Sequence, residues 1–376
     1  MKKIVLIIPS IHVFNYWITY IENFKKYNHN LERIKALVID EEANNIREKN
    51  KELFSDIETE FWGKKEREKY FQDRFGQQWE KYEQLIPLRA HSETSFGLIL
   101  AYEEEPNLVI MIDDDTHPSM DYDYLGMHEQ VIENSISVDK VIGTKNKWYN
   151  VLTNLELEME GLFPRGYPYG QDTRENISYY EEPIHGKIVL NQGLWINDPD
   201  LDAVTILVQG GLNGKPRSKS IRLKDQNTVV ARNTYLTVCT MNLAFSPEVI
   251  PAFYQLPMGP EEKIDRFDDI WSGLFLKKVC DHMGTYLAHG APICVHEKTP
   301  RSVFKDIRAE LPGIELGETL WKMVDSVEFI DSNDYCSAYQ SLIEGLQGKL
   351  NLVKGAQKDY LEYMFSRMEL WTELFS

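Results

Sequence analysis

Three adjacent carboxylates, Asp113-Asp114-Asp115, directly follow the apolar run Leu108-Val109-Ile110-Met111-Ile112. At the end of a buried strand such groups repel one another and lose hydration, at a cost of several kcal/mol per ion unless a cation arrives. Mn²⁺ or Mg²⁺ meets that need, because both prefer oxygen ligands and bridge carboxylates to phosphates. Alternate residues of an extended segment point the same way, so the pattern predicts that Asp113 and Asp115 share the metal while Asp114 turns to a ribose or sugar hydroxyl. His296, after the short apolar segment Pro292-Ile293-Cys294-Val295, offers a neutral imidazole as a third ligand. Asp268-Asp269 open a helical pattern through Trp271, a place where acids also serve as caps that complement the helix dipole. Arg165 stands in the stiff loop Pro164-Arg165-Gly166-Tyr167-Pro168, where an arginine either pairs with carboxylates or holds phosphate.

The elements that must position these residues are legible in the hydrophobic pattern. Ile4–Ile8 is a continuous apolar run closed by Pro9-Ser10, the pattern of a strand buried on both faces. Phe14, Trp17, Ile18, Ile21 and Phe24 follow at helical spacing, and Ala36–Ile39 makes a second strand ending at Asp40. Residues 41–85, dense in Glu, Lys, Gln and Arg, predict solvated helices. Phe96–Tyr102 predicts a helix before the strand Leu108–Ile112. This βαβαβ rhythm predicts a doubly wound sheet with its ligand beyond the carboxyl ends of the strands, where Ser10, Asp40 and Asp113–Asp115 converge. From 140 to 245 the pattern predicts loops and short strands, among them Val204–Val208 and Thr234–Cys239, and beyond 315 it turns helical again. We therefore expect an α/β domain over 1–315, with a helical insertion at about 41–88, and a helical extension over 316–376.

Composition narrows the partners. Lys+Arg number 41 against 59 Asp+Glu, a net charge of −18, and no Lys/Arg-rich run builds the basic face that nucleic acid or an anionic membrane requires. No segment approaches the roughly 18 apolar residues of a membrane span, and the N-terminal apolar run is too short for a signal-peptide core. Four cysteines without CxxC spacing fit a reducing compartment, so a cytoplasmic protein is expected.

Six motifs, taken together and in order, carry a resemblance. They are Asp113-Asp114-Asp115; Arg165-Gly166-Tyr167-Pro168; Gly193-Leu194-Trp195-Ile196-Asn197 with Pro199-Asp200 and Asp202-Ala203; Met241-Asn242-Leu243-Ala244-Phe245; Arg266-Phe267-Asp268-Asp269-Ile270-Trp271-Ser272-Gly273; and Cys280-Asp281-His282. Over roughly residues 1–315 the chain resembles the reversibly glycosylated polypeptide family, the UDP-arabinopyranose mutases. The resemblance implies a GT-A-like Rossmann-type mixed sheet flanked by helices, a divalent metal at the aspartates, no flavin, a UDP-sugar substrate and association into homo-oligomers. It also implies that Arg165 is the glycosylated arginine. The chain departs from the family at His12 and Thr94, where arginines are expected.

For ring contraction of a nucleotide sugar, Arg165 would trap the anomeric carbon through nitrogen, with Asp268 or Asp269 taking the proton that an arginine otherwise keeps. Ser10, Asp40, Asp114, Trp195 and Asn242 are the expected nucleotide-sugar contacts, Asp40 for the uracil imide and Trp195 for stacking, although a core role fits Trp195 as well. Two other readings stay open at this point: a glycosyltransferase using the same donor, and a nucleotide-sugar-binding or assembly partner without turnover.

Overall fold

The computed structural model describes residues 3–40, 44–87, 90–133, 141–225, 227–259, 262–330 and 332–376. The first half runs β1 (Ile4–Ser10), α1 (Trp17–Lys26), β2 (Ile34–Asp40), α2 (Asn44–Leu53), β3 (Glu58–Trp62), α3 (Lys64–Phe75), α4 (Trp79–Glu83), α5 (Thr94–Glu103), β4 (Leu108–Ile112), β5 (Thr116–Pro118) and α6 (Tyr124–Ile132). The second continues through β6 (Val141–Thr144), β7 (Leu155–Leu157), α7 (Gln171–Arg174), β8 (Tyr179–Glu182), β9 (Ile188–Asn197), α8 (Ala203–Val208), β10 (Ser220–Leu223), β11 (Asn227–Val230) and β12 (Asn242–Phe245). It ends with α9 (Asp268–Met283), β13 (Tyr286–His296), α10 (Val303–Asp325), α11 (Tyr335–Gln347) and α12 (Ala356–Thr372).

One mixed sheet of order β3-β2-β1-β4-β12-β9-β13-β11-β6-β8 organises the chain. β3, β2, β1 and β4 are parallel, β12 runs against both β4 and β9, and β9 and β13 are parallel to each other. This is the α/β mixed sheet with flanking helices that the family resemblance implies; the βαβαβ rhythm accounts for its parallel half, β2-β1-β4. β1 and β4 are buried on both faces, as a continuous apolar run requires. One polar edge results from these directions: β1, β2, β4, β9 and β13 all present their carboxyl ends there.

Three expectations need correction. The 41–88 insertion is not wholly helical: Glu58–Trp62 forms β3, an edge strand on β2 with one exposed and four half-buried residues, so its mixed polar composition hides a strand that is never fully desolvated. The bounds 41 and 88 themselves lie outside the described residues. Val204–Val208 falls in a helix rather than a strand, because Asp202 caps it by accepting from Thr205 N at 2.8 Å. Thr234–Cys239 forms no strand and keeps only an isolated bridge from Tyr235 to Trp148.

The C-terminal helices exist as expected, but the boundary at 315/316 cuts through α10. Leu316, Leu320, Leu342, Leu361 and Trp371 belong to the same apolar cluster as Val5, Val109 and Leu190 of the sheet. Tyr254 stacks on Trp371 at 4.9 Å, and the Trp371 indole donates to Pro251 O. The extension is part of the main core, since its apolar stripes are buried against sheet-side residues rather than against one another alone.

Candidate active site

A cavity of about 420 Å³ opens at the polar edge, lined by the loop after β1, the aspartate turn, Arg165, the start of α9 and the segment beyond β13. Open α/β sheets bind ligands at such strand ends.

The aspartates occupy a turn because β5 must fold back from β4 to pair with β13, Thr116 opposite His296. Thr116 closes that turn by donating to Asp113 O through N at 3.3 Å and Oγ1 at 2.9 Å. The strand-like alternation expected for 113–115 therefore does not apply, and each carboxylate faces a different imidazole. Asp113 lies 3.4 Å from His91 Nε2, Asp114 lies 3.3 Å from His12 Nδ1, and Asp115 lies 3.5 Å from His296 Nε2. Burial pushes the Asp114 carboxyl up to about 6; His12 opposes that shift and the two neighbouring aspartates reinforce it. Asp114 Oδ2 is buried, with His12 Nδ1 at 3.3 Å as an ion-pair contact but no aligned hydrogen bond among the described residues. Asp115 moves the other way, because His296 outweighs its loss of hydration.

His296 Nδ1 lies 2.7 Å from Asp198 O, and a carbonyl can only accept, so Nδ1 carries the proton. That leaves Nε2 facing Asp115, which outweighs burial and raises the imidazole above its usual range; a cation between them would take Nε2 in the neutral form. Two carboxylates and an imidazole suit Mn²⁺ or Mg²⁺ chemically. Among the described residues, no group of three His, Cys, Asp or Glu side chains is gathered closely enough to be a ready-made cage.

Arg165 lies across the cavity with 7% of its surface exposed. Gly166 makes this placement possible: its φ is +83°, and a Cβ there would sit 2.2 Å from Ile270 Cγ2. The main chain is tied by Arg165 N donating to Asp200 O at 2.9 Å, while Arg174 Nε donates to Pro168 O at 2.7 Å and its guanidinium covers the Tyr169 ring. The Arg165 guanidinium gives its Nε edge to Asp200, with Nε and Nη2 at 3.1 and 2.9 Å from the carboxylate. Its terminal nitrogens reach Asp269 at 3.3 and 3.4 Å, and Nη1 also donates to Arg266 O. Burial alone would raise the Asp200 carboxyl, but Arg165 overrides it and holds it at about 2. Burial pushes Asp269 up even against the pull of Arg165.

Asp268 and Asp269 thus part company at the first turn of α9. Asp269 faces the arginine, whereas Asp268 Oδ2 lies 2.7 Å from His91 Nδ1. His91 spans the cavity floor from Asp268 to Asp113, and since both partners only accept, both ring nitrogens are called on to donate. The two carboxylates outweigh lost hydration and hold His91 well above the usual histidine range. Thr94 Oγ1 donates to His91 O at 2.9 Å, which fixes the turn that presents the ring. Sequence reasoning passed over His91 and the role of Asp200. The Pro199-Asp200 motif was the available signal for the second; nothing local marks the first.

Four expected contacts lie elsewhere or are already engaged. Trp195 is in the apolar core, 1% exposed and outside the cavity lining, because β9 turns it inward. Asn242 is fully buried behind the site, donating to Pro292 O at 2.9 Å and accepting from His128 Nε2 at 3.0 Å. Asp40 is taken up by a two-pronged pair with Arg47 at 2.7 and 2.8 Å and does not line the cavity. Ser10 does line it, with its hydroxyl donating to His12 O at 2.8 Å.

Fold and site together define an α/β protein whose strand-end cavity sets an aspartate turn opposite a buried arginine. The model of the reversibly glycosylated polypeptide family matches residues 25–376, and the chain belongs to that family. UDP-arabinopyranose mutase 1 of Arabidopsis thaliana is 31% identical over 214 residues, 56% of this chain and 55% of the relative. UDP-arabinopyranose mutase 3 of the same plant is 34% identical over 216 residues, 57% and 55% of the two chains. The chain thus spans about half the length of the curated relatives it matches. Among solved structures, glucosyl-3-phosphoglycerate synthase from Mycobacterium tuberculosis with Mn²⁺, UDP-glucose and phosphoglyceric acid aligns over 88% of this chain and 84% of its own, at 10% identity and a TM-score of 0.42. That likeness is too distant to transfer anything to the site. No helix among the described residues is long and apolar enough to cross a membrane.

Proposed function

We propose that the protein is a nucleotide-sugar mutase that interconverts the pyranose and furanose forms of a UDP-sugar through a glycosyl-arginine on Arg165, metal-dependent and without flavin. The observation that carries this reading is a buried guanidinium facing the same cavity as the aspartate turn, with a separate carboxylate on its terminal nitrogens. The mutase names of the family relatives support the same reading and make UDP-arabinopyranose the first substrate to try.

An arginine is an unpromising nucleophile because it stays protonated, and here burial is outweighed by two carboxylates that strengthen the charge further. Attack on the anomeric carbon must therefore be concerted with proton loss. Asp269 is the acceptor the geometry favours, since it touches Nη1 and Nη2 while Asp200 holds the Nε edge in place. As nitrogen bonds to C1, the C1–O bond breaks and its electron pair leaves with the diphosphate. The nitrogen lone pair then expels the ring oxygen, which takes the proton held by Asp269, and the open chain recloses through another hydroxyl, which returns a proton to Asp269. Return of the diphosphate to C1 frees Arg165, which recovers its proton from Asp269. A divalent ion held by Asp113, Asp115 and His296 would supply positive charge to the diphosphate as it leaves. His91 would couple the two ends, since a shift of Asp268 or Asp113 pulls on the same ring.

Incubation with UDP-arabinopyranose and Mn²⁺, with no acceptor present, tests the proposal. Proton NMR should record the furanose form, and intact-mass spectrometry should find a one-pentose adduct that Arg165→Lys lacks. Ring conversion by Arg165→Lys at the wild-type rate sinks the mechanism; slow hydrolysis as the sole product points to a transferase instead.

A further inference from the structure

Five lysine and arginine side chains are buried among the described residues: Lys35, Arg67, Arg165, Lys277 and Lys298. Four have carboxylate partners, namely Glu60, Glu83, Asp200 and Asp281 in that order. Lys298 is the exception. Only 6% of it is exposed, it lines the cavity, and its ammonium makes no ion pair among the described residues. Its backbone is fixed, because Lys298 N donates to Asp198 Oδ2 at 3.0 Å. The two arginines nearby on the same wall are both spoken for, Arg266 by Glu310 at 2.6 Å and Arg301 by Asp306 at 2.8 Å. Lys298 lines the same cavity as Asp115 of the aspartate turn and as Asp200 and Arg165 of the arginine pocket.

A buried cation without a partner is costly to keep, and this one faces the cavity where the leaving group of the reaction would sit. We propose that the Lys298 ammonium anchors the departed nucleoside diphosphate and keeps it in the cavity while the sugar is attached to Arg165. The inference rests on the ring-contraction reading. When the C1–O bond breaks, its electron pair goes to the diphosphate, which gains one negative charge; the proton lost by Arg165 goes to Asp269. A mutase must return that same diphosphate to C1, whereas a hydrolase or transferase lets it go. A contact that strengthens as the charge develops favours return over escape.

Lys298→Met keeps the apolar stem and removes the charge. Calorimetric titration of UDP and of uridine, with Mn²⁺ present, should find UDP affinity lowered roughly ten- to hundredfold and uridine affinity unchanged. During turnover of UDP-arabinopyranose the variant should release more UDP per ring conversion than the wild type. Unchanged UDP affinity in folded Lys298→Met overturns the inference whatever ring conversion does, as does a wild type that binds no UDP. Loss of UDP affinity in a protein that never converts the ring keeps Lys298 as the diphosphate anchor and discards the mutase reading. Should Lys298→Met not fold, Lys298→Gln is measured in the same way, and failure of both to fold makes the lysine structural and overturns the inference.

Discussion

Asp113, Asp114 and Asp115 line one side of the cavity; Asp200, Asp268 and Asp269 line the other. The residue type is the same and the number is the same, yet the two groups behave differently. The second is buried around Arg165 and His91, which hold Asp200 at about 2 and keep Asp268 below the usual carboxylate range, while burial leaves Asp269 raised. The first is a turn partly open to the cavity, where Asp114 is pushed up to about 6. A carboxylate cluster that the protein neutralises itself is built to hold a side chain in position. In the aspartate turn the only ion-pair partners facing the carboxylates, among the described residues, are imidazoles, whose charge depends on pH.

The contrast is broken most forcefully at Arg165. Arg165→Met strips Asp200 and Asp269, whose side chains are 7% and 5% exposed, of their cation. Urea unfolding at neutral pH should record a loss of about 3–5 kcal/mol, and a loss below about 1 kcal/mol would show that the pocket relaxes to admit water.

The aspartate turn should respond in the opposite sense. A carboxyl raised from 3.8 to about 6 in the folded state destabilises it as pH climbs through that window, and the penalty is complete above it. Asp114→Asn should therefore stabilise the metal-free protein at pH 7.5 by roughly 2 kcal/mol, after allowance for the part of the side chain still in contact with solvent. The gain should vanish near pH 4, and a variant equally stable with the wild type at both pH values would remove the distinction between the clusters.

Away from both clusters, two buried histidines weaken the fold in acid by an amount comparable to the Asp114 effect. Burial lowers His128 to about 4 and His289 to about 3. Below pH 6.5 the unfolded chain binds protons that the folded one refuses, so stability is intact above that value and falls on acidification. The slope is about 1.4 kcal/mol per pH unit for each histidine. Stabilities from denaturant unfolding between pH 7 and 5 should fall less steeply on acidification in His289→Phe than in the wild type, the two slopes differing by up to about 1.4 kcal/mol per pH unit. Equal slopes would mean that His289 is protonated in the fold.

Much of the frame is legible in the chain. Ile4–Ile8 and Leu108–Ile112 announce two-face burial because no polar residue interrupts them, and the polar residues that follow announce where the strand ends meet a ligand. Local pattern is weaker where burial is partial. Glu58–Trp62 reads as exposed helix because an edge strand needs few apolar residues, and Val204–Val208 reads as strand because an apolar run this short suits either element until its cap is known.

By itself, then, the sequence determined the α/β order, the run of aspartates at the end of β4, the arginine loop and the family to which they belong. Tertiary structure alone decided the partners. Asp200 comes to Arg165 across 35 residues and His91 to Asp268 across 177, separations that no periodicity encodes. It also separated Asp268 from Asp269, because adjacent positions on a helix point about 100° apart and so reach different walls of the cavity. Packing likewise put Trp195 of β9 into the core and Lys298, beyond β13, on the cavity wall. A side chain's chemistry is written in the chain, but its solvent and its neighbours come from packing.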